Sequence, residues 1–220
     1  MSVASVAING QVSSTISKAK NYGDITIRAY QVNIGGIVQT MDSASTITQS
    51  ANLGDINVFV RSTYRSIIGG LVGQLSAGAV LGYCYSICDI SLASASEIAV
   101  SANIGGLVGL SYSDNISYSY VNVTKNQNIL SGYTAYEAIY QLIGYLGSID
   151  QGNSKARYVY YNLNQQQNGF NCANIQLSEF RGYTTSSDIC NVTEEFRSDL
   201  TYNSNPRLAW EVNYNPTWKA

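Results

Sequence analysis

The sequence predicts an all-β fold, specifically a parallel β-solenoid (β-helix) of about five coils followed by a mixed C-terminal cap. Three observations support this prediction: an internal repeat, short alternating strands bounded by turn residues, and no sustained, capped helical period in residues 1–130. Each repeat holds too few apolar residues to build a core of its own. Neighbouring repeats must therefore stack and share one interior.

The clearest repeat is a glycine-rich apolar block. Near-copies stand at residues 34–38 (IGGIV), 68–73 (IGGLVG) and 104–109 (IGGLVG), and a degraded copy stands at 142–147 (LIGYLG). The second glycine of the block recurs at intervals of 34, 36 and 38 residues. An α-solenoid repeat of similar length would need two helices, so this spacing favours one β-coil per repeat.

A second block supplies the alternating strands. It reads GDITI at residues 23–27, GDINV at 54–58 and CDISL at 88–92. Alternation of apolar and polar residues is typical of a half-buried strand. Because stacked strands lie about 4.8 Å apart, we expect equivalent residues of successive coils to form ladders.

The Gly-Gly-[Leu/Ile]-Val-Gly core, followed by an Ile-x-x-Ser element and a Gly-Asp-Ile-x-Val strand, resembles the GLUG-motif repeat family. The resemblance covers about residues 5–160 and is closest at 67–123. It implies surface-displayed repeat proteins with adhesive or scaffolding roles and no catalytic residues in the repeat. The residues that match the family motif are Gly69, Gly70, Leu71, Val72, Gly73, Gly105, Gly106, Leu107, Val108 and Gly109.

The two ends of the chain differ from the repeats. Residues 1–160 are assigned to the repeats and residues 161–220, which begin with an Asn- and Gln-rich stretch, to a C-terminal cap. A solenoid needs such a cap because an open edge recruits other strands. Short helices are predicted within the cap at Ser178–Arg181 and Thr193–Leu200. No equivalent cap precedes residue 5, so we expect the N-terminal edge to continue into more coils or to meet a partner.

Composition argues against several classes of function. With 12 basic and 14 acidic residues and no histidine, the chain lacks the basic face that nucleic acid requires and the commonest general base and metal ligand. Residues 67–88 are uncharged over roughly the length of a bilayer span, but related repeats are too polar to insert. We therefore predict no membrane span, no signal peptide, no cofactor and no enzymatic activity.

Aspartate recurs in register at Asp24, Asp55 and Asp89, just before each alternating strand. A stacked column of carboxylates could attract Ca²⁺. Alternatively, Asp after Gly makes side-chain hydrogen bonds to turn backbone. We favour the second interpretation, because no second carboxylate accompanies each one, and we predict no metal site.

The cysteine spacing does not favour a zinc site, because only one pair is close in sequence. Cys84 aligns with small residues of the other coils, Ser50 among them, and is expected to be a buried free thiol. Cys172 and Cys190 bracket the cap and could form a disulfide in an oxidising compartment. The four cysteines are Cys84, Cys88, Cys172 and Cys190.

Tyrosines recur at equivalent positions of successive coils and are predicted to face outward. In earlier coils the same positions include Lys18 and Gln49, which supports that orientation. Two roles remain open: ladder stabilisation by stacked rings and a contact strip for a protein or sugar. The residues of this candidate partner-contact strip are Tyr83, Tyr85, Tyr118, Tyr120, Tyr158 and Tyr160.

The favoured function is therefore a non-enzymatic structural or interaction module for adhesion or scaffolding through an extended ladder face, located extracellularly or at the cell surface. The partner would be a protein or glycan surface, or neighbouring subunits of an assembly. The main alternative is an intracellular component of a filament. A polysaccharide-active β-helix enzyme is less favoured because, apart from Glu194-Glu195 in the cap, the acidic residues form no close pair. An ice-binding array is less favoured because only residues 46–48 read Thr-Ile-Thr.

Overall fold

The computed structural model describes residues 13–61, 63–94, 101–122, 139–140, 142–147, 157–162, 180–183, 196–197 and 206–212. These residues are almost entirely β-structure, with one single-turn helix. The strands up to the second glycine block are β1 (Thr15–Ser17), β2 (Lys20–Asn21), β3 (Ile25–Ala29), β4 (Asn33–Gly35), β5 (Val38–Met41), β6 (Thr46–Thr48), β7 (Ala51–Asn52) and β8 (Ile56–Val60). The next are β9 (Ser66–Gly69), β10 (Val72–Leu75), β11 (Val80–Gly82), β12 (Tyr85–Ile87), β13 (Ile90–Ser94), β14 (Ala102–Gly105), β15 (Val108–Ser111) and β16 (Ile116–Asn122). The last elements are β17 (Ile139–Tyr140), β18 (Ile143–Leu146), β19 (Arg157–Asn162), β20 (Phe180–Tyr183), β21 (Phe196–Arg197), β22 (Arg207–Leu208) and helix α1 (Ala209–Val212).

Four parallel sheets run along the stack, and neighbouring strands in each come from successive repeats. Sheet I has the order β18-β15-β10-β5, sheet II β17-β14-β9-β4 and sheet III β13-β8-β3. Sheet IV has nine strands: β1-β6-β11 and β2-β7-β12 both end on the long strand β16, which continues to β19 and β20. This arrangement confirms the predicted parallel β-solenoid.

Over the described residues the solenoid has about three turns, fewer than the predicted number of about five. The end repeats contribute strands to some sheets only. Among the described residues, the repeat that contains β1–β3 contributes no strand to sheet I. The repeat that contains β17–β19 contributes no strand to sheet III. Repeat blocks that are recognisable in sequence therefore do not each complete a turn.

The interior is filled by ladders of branched aliphatic side chains. In sheet I, Val38, Val72 and Val108 stand in register and are fully buried. In sheet III the equivalent ladder is formed by Ile56 and Ile90. Burial of these ladders supplies the apolar area that a single repeat cannot provide.

The glycines of the repeat allow sheets I and II to pack closely together. A Cβ atom at Gly69 would overlap the Val72 carbonyl group, and one at Gly105 would lie 2.5 Å from the Gly144 nitrogen. The obstructing atoms belong to backbone, so they cannot move aside. The recurrence of the glycine block in successive repeats of this chain therefore has a steric cause.

The two helices predicted in the cap are wrong where the structure describes them. Residues 180–183 form β20, which pairs with β19, and residues 196–197 form β21, which pairs antiparallel with β22. Strand pairing, with β19 in one case and with β22 in the other, overrides the local helical pattern. Cys172 and Cys190 lie outside the described residues, and the division at residue 160 stays a prediction.

Residues 67–88, whose length and lack of charge resembled a membrane span, instead form β9 to β12. Within the described part of the chain, no helix has the length and apolarity needed to cross a bilayer.

Candidate interaction surface

Each coil turns a corner in sheet IV through a non-glycine residue in the left-handed region. The φ angles are 57° at Lys18, 49° at Gln49, 54° at Tyr83, 44° at Tyr118 and 54° at Tyr158. This conformation costs roughly 1–2 kcal/mol for a residue with a Cβ atom. Its recurrence at equivalent positions means that the surrounding structure stabilises it repeatedly.

At three of these five corners, the side chain of the following residue (Ser50, Cys84 or Ser119) bonds back to the corner backbone. The Ser50 hydroxyl donates to the Thr48 carbonyl oxygen at 2.8 Å, and the Ser119 hydroxyl donates to Ser117 at 2.7 Å. Cys84 occupies the same slot, where its backbone N–H donates to Ser119 Oγ at 3.1 Å. Cys84 is fully buried and free, as the sequence predicted. Burial raises the pKa of this thiol to about 12.

Three corner tyrosines stack into a column that we call the outer column: Tyr83, Tyr118 and Tyr158. The ring centroids of Tyr83 and Tyr118 lie 5.0 Å apart with planes 2° from parallel. Those of Tyr118 and Tyr158 lie 5.1 Å apart. All three side chains are half-buried, so one side of each ring is protected and another part remains accessible.

The remaining three tyrosines stand in register in a second column, the inner column, and are not accessible. Tyr85 is 0%, Tyr120 1% and Tyr160 5% exposed. The rings of Tyr85 and Tyr120 lie 5.2 Å apart and nearly parallel. These side chains point away from the solenoid core, as expected, but they pack with Leu208 and Trp210 of the chain's own C-terminal segment. The prediction that they face outward into an open contact strip is therefore wrong.

The C-terminal segment, residues 206–212, is held by one buried carboxylate. Glu211 accepts hydrogen bonds from the Tyr85 hydroxyl at 2.9 and 3.0 Å. Lys20 Nζ lies 2.6 Å from the same carboxylate, and Arg207 Nε lies 3.6 Å away. A buried charge is tolerated only when it is paired and hydrogen-bonded, and this site provides both.

Further contacts extend the segment along the stack. The Tyr120 hydroxyl donates to the Pro206 carbonyl oxygen, and the Trp210 indole N–H donates to the Gln49 carbonyl oxygen at 3.1 Å. Leu208 is fully buried between the tyrosines and Trp210. One short segment thus contacts residues of successive coils and ties them together.

Sequence reasoning missed Glu211, although one signal was present. Lys20 stands in register with Ala51, which pairs with Tyr85, so a lysine begins the column that later carries tyrosines. A charged residue at the end of an aromatic column predicts an acidic partner. Nothing in the sequence indicates that this partner is Glu211.

The aspartate column bonds to backbone, as the favoured interpretation predicted. Asp24 Oδ1 accepts from the Asp55 N–H at 2.9 Å, and Asp55 Oδ1 accepts from the Asp89 N–H at 2.8 Å. The backbone partner belongs to the next coil rather than to the same turn. Across the described residues, no group of three or more His, Cys, Asp or Glu side chains is placed to hold a metal ion.

Comparison of the chain with protein-family models, curated proteins and solved structures finds no match. The function of the outer column therefore rests on its own geometry and chemistry.

Proposed function

We propose that this chain is a non-enzymatic interaction module for adhesion or scaffolding, and that the outer column is its contact surface. The observation that carries the proposal is the stacking of Tyr83, Tyr118 and Tyr158 at one corner of a rigid parallel ladder. Membership of the GLUG-like repeats and a location outside the cell or at its surface belong to the same proposal.

The physical argument concerns the entropy of binding. Association costs about 0.5–1.5 kcal/mol for each flexible side chain that becomes immobilised. The stacked rings and the hydrogen-bonded corners beneath them hold the outer column in place before any partner arrives. Tyrosine also combines a large apolar surface with a polar hydroxyl, which suits contact with either a protein or a sugar.

The repeat itself makes the surface extendable. Each added coil places one more residue at the corner, one strand spacing of about 4.8 Å further along the stack. Several weak contacts in a row then act together, as multivalent binding requires. This property favours adhesion or scaffolding over the recognition of one small molecule.

The test compares two triple variants on arrays of immobilised glycans and extracellular proteins. In the first, the three tyrosines of the outer column are changed to glutamine, which residue 49 shows to be compatible with the same backbone conformation. The matched control changes three exposed tyrosines outside the column: Tyr22, Tyr112 and Tyr145.

We expect the first variant to lose array binding and the control to retain it. Equal binding by both variants would contradict the contact role of the outer column. Self-association that depends on the outer column, measured by sedimentation, would make a second copy the partner and support the filament alternative. Turnover of any arrayed glycan would overturn the non-enzymatic part of the proposal.

A further inference from the structure

The outward face of sheet III carries arginine and aromatic side chains side by side. Arg28 on β3 stands in register with Phe59 on β8. The Arg28 guanidinium carbon lies 4.9 Å from the centre of the Phe59 ring. Such a cation–π contact orients the guanidinium group while Arg28 stays exposed.

The next outward rung repeats the pairing in the reverse order. Ala29 pairs with Val60, and the Arg61 N–H donates to the Ala29 carbonyl oxygen at 3.2 Å. The ladder register therefore places Tyr30 beside Arg61. Tyr30 is 76% exposed, and Arg61 is also exposed.

The corner that follows adds a second tyrosine and a third arginine. Tyr64 is 72% exposed, and Arg65 is exposed with its Nε donating to Ser101 Oγ at 3.3 Å. Gln31 donates to the Arg65 carbonyl oxygen at 2.7 Å and ties the corners of two coils together. We call the whole surface the basic–aromatic patch: Arg28, Tyr30, Phe59, Arg61, Tyr64 and Arg65.

Charge is segregated along this face. Residues 25–41 and 56–88, which carry the patch, contain no Asp or Glu. The aspartate column of Asp24, Asp55 and Asp89 lies at the opposite end of the same strands. Arg28 lies four residue steps along the strand from Asp24, a distance of about 13 Å.

We propose that the basic–aromatic patch binds an acidic glycan, with sugar carboxylates on Arg28 and Arg61 and sugar rings against the exposed tyrosines. A guanidinium group matches the two oxygens of a carboxylate, and an exposed tyrosine offers a flat apolar surface with a polar edge. A glycan with one carboxylate per ring supplies both features at the spacing of neighbouring side chains.

The aspartate column argues against a densely charged polymer. Double-stranded DNA carries one charge per roughly 1.7 Å, so a strand lying along sheet III would also meet the three aspartates. A chain with net charge −2 adds a repulsive background to any such polyanion. A glycan with one charge per ring has fewer charges per unit length, which lowers both costs. This site lies on a different sheet from the outer column and stands independently of the proposed function.

The experiment titrates the full chain with hexagalacturonate, its fully methyl-esterified form, heparin and single-stranded DNA by calorimetry at two salt concentrations. We expect binding to hexagalacturonate that weakens with salt, and none to the neutral methyl ester.

The double variant Arg28→Gln, Arg61→Gln should weaken binding about 10-fold, as two exposed charge contacts would. Lys18→Gln, which places at residue 18 the glutamine found at the equivalent residue 49, should bind as the wild type does.

Equal binding of the acid and the ester would overturn the proposal, as would tighter binding of heparin or DNA. No binding at millimolar hexagalacturonate, or equal weakening by Lys18→Gln, would do the same. Far-UV circular dichroism confirms that each variant keeps its β-structure. Because the glutamine variant of the outer column should keep hexagalacturonate binding, failure of this proposal is distinguishable from failure of the proposed function.

Discussion

Lys20 and Glu211 form a buried ion pair that joins the first coil to the C-terminal segment. Lys20 Nζ lies 2.6 Å from Glu211 Oε1, and the two side chains are 8% and 2% exposed. The Tyr85 hydroxyl donates to the same carboxylate, so residues of two coils converge on one acidic group. This arrangement makes the segment part of the fold and removes the inner column from the surface.

Removing one partner of the ion pair should destabilise the protein strongly. We expect Lys20→Met to lower the free energy of unfolding by up to about 3–5 kcal/mol, because the buried Glu211 carboxylate then keeps only Arg207, whose Nε lies 3.6 Å away, as a cationic partner. Urea denaturation measures the change. The double variant Lys20→Met, Glu211→Gln should cost less than the sum of the single variants, and strict additivity would contradict direct coupling.

The close packing of sheets I and II predicts which glycines tolerate a side chain. Gly69→Ala should prevent folding or lower the free energy of unfolding by more than about 3 kcal/mol, because its Cβ overlaps backbone that cannot move. Gly82→Ser is the control. Its register partners are Thr48 and Ser117, and its nearest obstruction is the Ser117 hydroxyl at 3.3 Å.

We expect Gly82→Ser to stay within about 1 kcal/mol of the wild type, since only the flexible end of a side chain must adjust. Thermal denaturation followed by circular dichroism compares the two variants. Similar losses in both would show that close sheet packing is not the reason for the glycine block.

One turn contains an alanine where the next coil contains glycine. Ala44 has φ 70° and lies two residues before Thr46. Gly78 has φ 84° and lies two residues before Val80, which is the register partner of Thr46. Ala44→Gly should therefore stabilise the protein by about 0.5–1 kcal/mol, because glycine adopts this conformation without a steric penalty. Chemical denaturation is the measurement. Gly78→Ala is the reciprocal control and should destabilise by a similar amount, and the same sign for both changes would refute this explanation.

Stability should fall at alkaline pH through the buried thiols. Burial raises the pKa of Cys84 and of Cys88 from 9.0 to about 12. Above pH 9 the unfolded chain loses these protons while the folded chain keeps them, so the unfolded state is favoured as pH rises. Each thiol contributes a loss of up to about 1.4 kcal/mol per pH unit between the two pKa values.

The slope is measured by urea denaturation between pH 8 and about 10.5. Cys84→Ser isolates one thiol, because serine already fills the equivalent slot at residues 50 and 119. Above pH 9, the free energy of unfolding of this variant should fall with pH less steeply than that of the wild type. The two slopes should differ by up to the contribution of one thiol, about 1.4 kcal/mol per pH unit. Identical slopes for variant and wild type would count against burial of the neutral thiol.

Regularity of the repeat explains how much of the fold could be predicted. In a stack of coils, residues that are equivalent in sequence become neighbours in space, so the register of Asp24, Asp55 and Asp89 was readable without coordinates. The same reasoning placed Cys84 in a buried slot. It overestimated the number of coils: among the described residues, the end repeats contribute strands to some sheets only.

The sequence alone determined the parallel ladder and the alignment of six tyrosines into two columns. Only the tertiary structure decided that one column is covered and the other stays accessible. That decision depends on Glu211, which contacts Tyr85 across 126 residues and belongs to no repeat. Local periodicity specifies contacts between equivalent residues, whereas a contact between a repeat and a unique segment depends on the path of the whole chain.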